Sequence, residues 1–288
     1  MFLARAAAEA QSPTEYITHH ITFLTNVAPR GILDLSVVNL DSVFFSILLA
    51  VVFGGAFYAA ARKATTGVPG KFQNFVEWIV EFVDTQVRTT FQGQSKLIAP
   101  LSLTIFGWVL CFNLMDVIPI DLLPSAAHGA GLGHLKIVPS TDLNIVFGLS
   151  ITVFLLIIIY SIRMKGFGGF VGSLTLHPFS SKNVLLQALL VPVNFVMEFP
   201  SFIARPVSLA LRLYGNMYAG EMVFALLALI TLSRGLESLT SPGSWGWGLL
   251  QAALGVLWSL FDTFIALLQA FIFMMLTIVY LSQASEHH

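Results

Sequence analysis

The sequence predicts an all-α integral membrane protein with about five membrane helices, including a long, steeply tilted C-terminal hairpin, and one amphipathic surface helix. Two observations predict this class. Of the 288 residues, 56% are hydrophobic and only 10% are charged, whereas soluble domains contain about 25% charged residues. Several uncharged runs also reach the roughly 20 residues that a helix needs to cross a hydrocarbon core. Lipid is therefore the main solvent of the chain.

Composition also limits the function. The formal net charge of −1 comes from scattered charges that form no basic face, so nucleic-acid binding is not expected. Cys111 is the single cysteine, which excludes an intrachain disulfide and a cysteine-based metal cluster. No histidine cluster lies within the apolar runs, and neither a metal nor a cofactor is predicted. The first dozen residues lack the apolar core of a cleaved signal peptide, so we expect the N-terminus to be retained.

The apolar runs divide the chain into five segments. Residues 43–61 are uncharged and form the first predicted span, and residues 143–162 form the third. The second lies within 97–123 and ends in a polar mouth. The predicted segments are an outer N-terminal segment 1–42, the first span 43–61, a cytoplasmic loop 62–96, the second and third spans with their outer loop 97–183, and a long tilted helical hairpin 184–288.

The cytoplasmic loop contains the amphipathic helix, in the stretch KFQNFVEWIVEFVDTQVRTTF. Its apolar face holds Phe72, Phe75, Val76, Ile79, Val80, Val83 and Val87, and its charged face holds Glu77, Glu81, Asp84 and Arg88. This separation is typical of a helix that lies along the membrane surface.

The last two apolar runs are too long for upright spans. As helices, 184–233 and 249–282 would extend about 75 Å and about 51 Å, against a core of about 30 Å. They must tilt strongly or break, and Pro192, Pro200 and Pro206 offer bend points. The intervening stretch SRGLESLTSPGSWGWG is predicted to be a turn with interfacial tryptophans.

Lysine and arginine residues predict the orientation. One side has eight, namely Arg62, Lys63, Lys71, Arg88, Lys96, Arg163, Lys165 and Lys182, and the other has four, namely Arg5, Arg30, Lys136 and Arg234. The excess places the loop 62–96 and the C-terminus in the cytoplasm and the N-terminus outside.

A polar stripe runs along the first long helix. Its members, three or four residues apart, are Glu198, Ser201, Arg205, Ser208, Arg212 and Asn216. Glu198 and Arg205 lie near the cytoplasmic end and either serve the function or satisfy each other. Arg212 has no acidic residue three or four positions away that could neutralise it. A charge within an apolar run is costly, so we expect Arg212 to have a function. A guanidinium stays charged, and it can attract a carboxylate and repel a hydronium without relaying a proton.

Acidic residues predict two separate aqueous routes. Glu221 lies nine positions after Arg212, about 13.5 Å along the helix and on its opposite side. Folding the hairpin near residue 241 brings Glu221 level with Asp262, and Arg212 level with Gln269, which shares a face with Asp262. Arg212 and Glu221 could both point at that face only if their helix bends. Glu221 and Asp262 either share a proton in a relay or face water independently.

Four further residues are candidates for the outer mouth of the route. Asp116 and Asp121 lie at the far end of the second apolar run, and His128 and His134 follow it. They either line an entrance or are solvated loop residues.

One segment resembles a known family. RPVSLALRLYGNMYAGE at 205–221 is similar to the signature of the a subunit of F-type ATP synthases, and the C-terminal LLQAFIFMMLTIVYLSQASEHH resembles it as well. Further similar motifs are NLDSVFFS, KATTGVPGKFQ, SKLIAP, NLMDVIPIDLLP, VPSTDLN and YSIRMKGFGGF. These motifs occur in the same order as in the family, from about residue 14 to the C-terminus. The sequence most resembles the proteobacterial members.

The resemblance implies a non-catalytic stator subunit of a proton-driven motor in the bacterial inner membrane. Its implied partners are a c-ring of proteolipid subunits, the b-subunit peripheral stalk and the rest of the ATP synthase. Arg212 would face the ring carboxylate, and Glu198 and Glu221 would belong to the cytoplasmic and outer half-channels. Asn216 and Gln269 match polar neighbours of the arginine, and Ser208 lies on the same stripe. Relatives often have histidine where this chain has Asp262, so an imidazole relay is not implied.

Two other classes of function are weighed against this one. A self-contained proton-coupled transporter usually shows internal repeats with paired broken helices, and no repeat is found. A membrane enzyme needs a nucleophile with its base, or a metal cluster, and the sequence shows neither. Association with a c-ring separates the stator hypothesis from both.

Overall fold

The computed structural model describes residues 23–27, 37–65, 67–91, 95–117, 136–176, 178–179, 183–232 and 245–285. In these ranges the helices are α1 Leu40–Lys63, α2 Lys71–Thr90, α3 Ile98–Leu114, α4 Leu143–Thr175, α5 Val184–Leu232 and α6 Trp245–Ser285. Short 3-10 turns form at Met115–Val117 and Pro139–Thr141. An isolated antiparallel bridge joins Thr25 and Asn39.

Five of these helices are long and apolar enough to cross a membrane. Within the described ranges the candidate spans are Leu40–Lys63, Ile98–Val117, Leu143–Thr175, Leu185–Leu227 and Gly246–Ala284. The predicted class is confirmed, since the chain is an all-α integral membrane protein with five apolar helices. The segment bounds that we predict from the sequence stay predictions.

The helix ends differ from the predictions in two places. α3 ends at Leu114 and is followed by the 3-10 turn, while the rest of the predicted run 97–123, after Val117, lies outside the described residues. The predicted turn between the long helices is too long at its C-terminal end, because α6 already begins at Trp245. The four residues WGWG lack proline and continue directly into the apolar run, so they join the helix.

Both long apolar runs are helical, but the backbone break lies elsewhere. Pro192, Pro200 and Pro206 all lie inside the continuous helix α5. Two helical stretches of α4 instead meet at a kink at Gly166, whose φ is 73°. Glycine fits there because it lacks the Cβ that makes positive φ costly for other residues. The kink at Gly166 lies beyond the end of the predicted third span, 143–162.

The chain divides into two compact units, and each of the five apolar helices contributes residues to both. Unit 1 comprises Met1–Tyr58, Gly107–Ile145 and Leu213–Ala270. Unit 2 comprises Ala59–Phe106, Val146–Arg212 and Phe271–His288.

In unit 1, α1 and α3 pack closely. The indole Nε1 of Trp108 donates a hydrogen bond of 3.2 Å to the carbonyl oxygen of Ser46. The ring of Phe53 lies directly over Gly107, where a Cβ would come within 2.1 Å of it. Glycine is therefore required for this approach.

In unit 2, α2 packs one part of its apolar face inward. Val76, Val83 and Val87 are buried, whereas Phe72 and Phe75 are exposed. From the same helix the ring of Phe82 lies 5.8 Å from that of Phe106 and 6.0 Å from that of Phe271. The helix is amphipathic as predicted, with some apolar side chains left for lipid or a partner.

The other contacts of unit 2 join α4 to α5. Ser150 donates a hydrogen bond of 2.5 Å to the carbonyl oxygen of Pro206. The side-chain amide of Asn194 on α5 binds the backbone at and just after the end of α4. Its Nδ2 donates hydrogen bonds to the carbonyl oxygens of Thr175 and Phe179, at 3.0 Å and 2.8 Å. The backbone of both helices is thereby tied together by buried polar side chains.

Candidate functional site

Among the charged side chains that unit 1 buries, four come from four different segments and form the candidate site. Asp116 lies in the 3-10 turn after α3, Lys136 precedes the turn Pro139–Thr141, Glu221 lies on α5 and Asp262 lies on α6. Their exposed fractions are 6%, 5%, 4% and 2%. Charges are rarely buried so completely unless they are paired or functional.

Lys136 and Glu221 form an ion pair. The lysine Nζ lies 2.9 Å from Oε2 of the glutamate. The ammonium also lies over the ring of Phe23, 4.4 Å from its centroid. These contacts give Glu221 a cationic neighbour that the sequence pattern does not reveal.

Asp41, at the start of α1, holds the backbone around Lys136. Its Oδ2 accepts hydrogen bonds from the backbone N–H groups of Lys136 at 3.1 Å and Leu24 at 3.0 Å. Its Oδ1 accepts one from the N–H of Ser42 at 2.8 Å. The carboxylate thereby ties three separate backbone segments together at the start of a helix.

Asp116 and Asp262 meet on the side of α5 where Gly220 has no side chain. A Cβ on Gly220 would lie 2.9 Å from Oδ2 of Asp116 and 2.9 Å from Oδ1 of Asp262. Asp116 interacts electrostatically with Asp262, Glu221 and Lys136. Among the described residues, Oδ2 of neither aspartate has a hydrogen-bond partner. A buried carboxylate oxygen without a partner is suited to hold a proton or a water molecule.

Amide side chains of unit 1 lie on α3, α5 and α6. Nδ2 of Asn113 on α3 donates a hydrogen bond of 3.4 Å to the carbonyl oxygen of Ala266 on α6. Gln269 on α6 is buried as well. Asn216, on α5 in the same unit, is partly buried.

The polar stripe of unit 2 begins with an ion pair. A guanidinium nitrogen of Arg205 lies 3.8 Å from Oε1 of Glu198. The same guanidinium lies 5.7 Å from the ring centroid of Phe202 and 5.0 Å from that of Tyr280. Mutual satisfaction of Glu198 and Arg205, one of the two predicted alternatives, is present in the structure.

Arg212 and Ser208 lie on the outer surface of unit 2. Both are exposed, and so are their apolar neighbours Val207 and Leu211. In the part of the chain that the structure describes, Arg212 belongs to no salt bridge. A permanent cation is thus presented outward from an apolar helix.

The model of the ATP synthase A chain family matches residues 43–282. The chain belongs to this family. ATP synthase subunit a of Psychrobacter cryohalolentis is 49% identical over 300 residues, which cover 97% of this chain and 99% of the relative. Subunit a of Psychrobacter sp. (strain PRwf-1) is 50% identical with the same coverage. That of Acinetobacter baylyi is 48% identical over 305 residues, covering 98% and 99%. The resemblance seen in the motifs is confirmed.

Three residues in or beside the buried cluster of this A chain are not predicted from the sequence to belong to the site. Lys136 is counted with the outer cations, and Asp41 and Gly220 are not singled out, although all three lie in or beside quoted motifs. Asp116 is buried, which contradicts the alternative that it is a solvated loop residue. Asp121, His128 and His134 lie outside the described residues.

Proposed function

We propose that this A chain is the non-catalytic stator subunit of the ATP synthase membrane sector. In this proposal it provides two offset proton half-channels, and Arg212 faces the carboxylate of a c-ring. Proton flow through the half-channels is thereby coupled to ring rotation and to ATP synthesis or hydrolysis.

The exposed position of Arg212 carries the proposal. A guanidinium does not lose its proton at physiological pH, and an unpaired charge in hydrocarbon is costly. The surface that presents Arg212 also presents Val207 and Leu211. A neighbouring apolar helix with one carboxylate would cover such a surface and pair the charge, which is what a proteolipid ring offers.

The two half-channels are assigned by position on the chain. Glu221, Asp262 and Asp116 belong to the outer half-channel, and their burial in one cluster supports this assignment. Glu198 and Ser208 belong to the cytoplasmic half-channel. Asn216 and Gln269 are the polar neighbours of the arginine, and Asp121, His128 and His134 remain candidates for the outer mouth.

The orientation and the partners complete the proposal. The excess of lysine and arginine places the loop between α1 and α3 in the cytoplasm of a bacterium, with the C-terminus on the same side of the inner membrane. The N-terminus is then periplasmic. The b-subunit peripheral stalk holds the chain against the turning ring.

ATP-driven proton pumping by inverted membrane vesicles tests the role of Arg212. We expect Arg212→Ala to abolish pumping while the chain still inserts and the complex still hydrolyses ATP, because the ring carboxylate loses its fixed counter-charge. The control is Arg88→Ala on α2, which removes an exposed ion pair with Asp84. Such surface pairs contribute little to stability, so this variant should pump normally. Normal coupled pumping by Arg212→Ala would refute the proposed function.

A further inference from the structure

We propose that Lys136 is a positioning residue of the outer half-channel: it holds Glu221 as a carboxylate, so that the exchangeable proton resides on Asp116 and Asp262 across Gly220. The inference rests on the proposed function and assigns the proton to one pair within the cluster. It departs from the prediction that Glu221 and Asp262 share the proton.

The ion pair supports the first part. Lys136 and Glu221 are 2.9 Å apart and both are almost completely buried. Protonating Glu221 would take away the negative charge that the buried ammonium of Lys136 contacts directly, which is unfavourable. The lysine backbone is itself fixed by Asp41. Glu221 is therefore constrained to remain an anion through the transport cycle.

The geometry at Gly220 supports the second part. Asp116 and Asp262 both approach the position that a Cβ of Gly220 would occupy, at 2.9 Å each. Two adjacent carboxylates that share one proton avoid placing two negative charges side by side. In the described part of the chain each has an oxygen without a hydrogen-bond partner, which leaves room for that proton or for water.

Other titratable groups interact with members of the cluster. Asp41 accepts three backbone hydrogen bonds. Tyr214, on α5, interacts electrostatically with Glu221 and Asp142. Lys136 is the cation of the described cluster that is paired with an acidic side chain.

The proposed step is a simple proton transfer. A hydronium on the outer side gives its proton to the Asp116–Asp262 pair and leaves as water. The pair then passes one proton to the ring carboxylate and returns to the state in which the two carboxylates share one proton. No bond to Glu221 or Lys136 forms or breaks, so their ion pair persists throughout.

A double-mutant cycle in the complete ATP synthase tests this assignment through ATP-driven pumping in inverted vesicles. We expect Lys136→Gln and Glu221→Gln each to lower pumping at least about tenfold, because each leaves one buried charge unpaired. The double variant should recover to within about threefold of wild type, since the pair acts as a unit. Lys136→Arg, which keeps the charge, should retain pumping and the wild-type pH profile.

Two results would overturn the inference. One is a double variant as inactive as Glu221→Gln alone, which would mean that Glu221 itself carries the proton. The other is wild-type pumping with an unchanged pH profile in Lys136→Gln. Arg212→Ala measured alongside separates the two proposals, because its normal pumping would refute the proposed function, whereas its inactivity would leave only the role of Lys136 in question.

Infrared spectroscopy keeps the inference testable if the lysine variants fail to assemble. The pH-difference spectrum of the purified wild-type complex should contain a protonated-carboxyl signal that changes in Asp262→Asn. An unchanged signal in Asp262→Asn would overturn the assignment of the proton to the pair.

Discussion

At the residue scale, the acidic cluster depends on a missing side chain. One oxygen of Asp116 and one of Asp262 each lie 2.9 Å from the position that a Cβ of Gly220 would take, closer than side chains normally approach. The glycine is helical, and within the described residues positive φ occurs at Gly166 and not here. Its role is therefore to permit close approach and not to permit an unusual backbone conformation.

Substitution of this glycine should impair transport more than stability. Gly220→Ala would place a methyl group 2.9 Å from one oxygen of each aspartate. Because those oxygens are side-chain ends that can shift, we expect normal amounts of the chain in the membrane but pumping reduced by up to about a hundredfold, the cost of misplacing a reacting group by about 1 Å. ATP-driven pumping in vesicles measures the effect.

A matched glycine provides the control for that substitution. Gly255 lies on α6 in the same unit, and a Cβ there would meet nothing within 4 Å. Gly255→Ala should pump like wild type. Equal pumping by the Gly220 and Gly255 variants would remove the close approach from the account.

The residues of the site that the sequence predicts are those revealed by helical spacing. Arg212, Glu221, Asp262 and Gln269 are polar positions in long apolar helices, so local periodicity is enough to single them out. Lys136 enters the site through a backbone hydrogen bond to a residue 95 positions away. Local patterns contain no information about such a contact, which is why Lys136 is missed.

At the element scale, hydropathy predicts the spans because each apolar run must satisfy its own backbone in lipid, which a helix does. The kink at Gly166 is not predicted. YSIRMKGFGGF contains three glycines, and which of them takes a positive φ depends on tertiary packing. Likewise, which residues of the apolar face of α2 are buried depends on neighbours such as Phe106 and Phe271.

The end of α4 provides a prediction at this scale. Asn194 is buried, and its amide makes three hydrogen bonds to the backbone of Thr175 and Phe179. Asn194→Ala would remove these part-buried hydrogen bonds, each of which contributes about 0.5–1.5 kcal/mol. We expect faster tryptic cleavage after Lys182 in inverted vesicles, because the connection between α4 and α5 opens more often.

A threonine on α4 serves as the control for that experiment. Thr152 is exposed and donates its hydroxyl to the carbonyl oxygen of Gly148 in its own helix. Thr152→Ala should leave the cleavage rate unchanged. A rate for Asn194→Ala equal to that of Thr152→Ala would show that the amide does not hold the connection.

At the scale of the whole molecule, the chain exposes apolar surface that must be covered. Large apolar side chains such as Leu185, Leu189 and Val196 on α5 are more than half exposed. Lipid tails can cover such residues, but hydrocarbon cannot pair with the guanidinium of Arg212 on the same helix. This surface fits the proposed function, in which a partner subunit with a carboxylate covers the helix.

A density map of the intact ATP synthase tests this central claim most directly. The account predicts that the guanidinium of Arg212 faces a carboxylate of the c-ring within the membrane. It also predicts that the N-terminus lies on the side opposite the ATPase headpiece. A map in which Arg212 points into bulk solvent, or packs away from the ring, would contradict it.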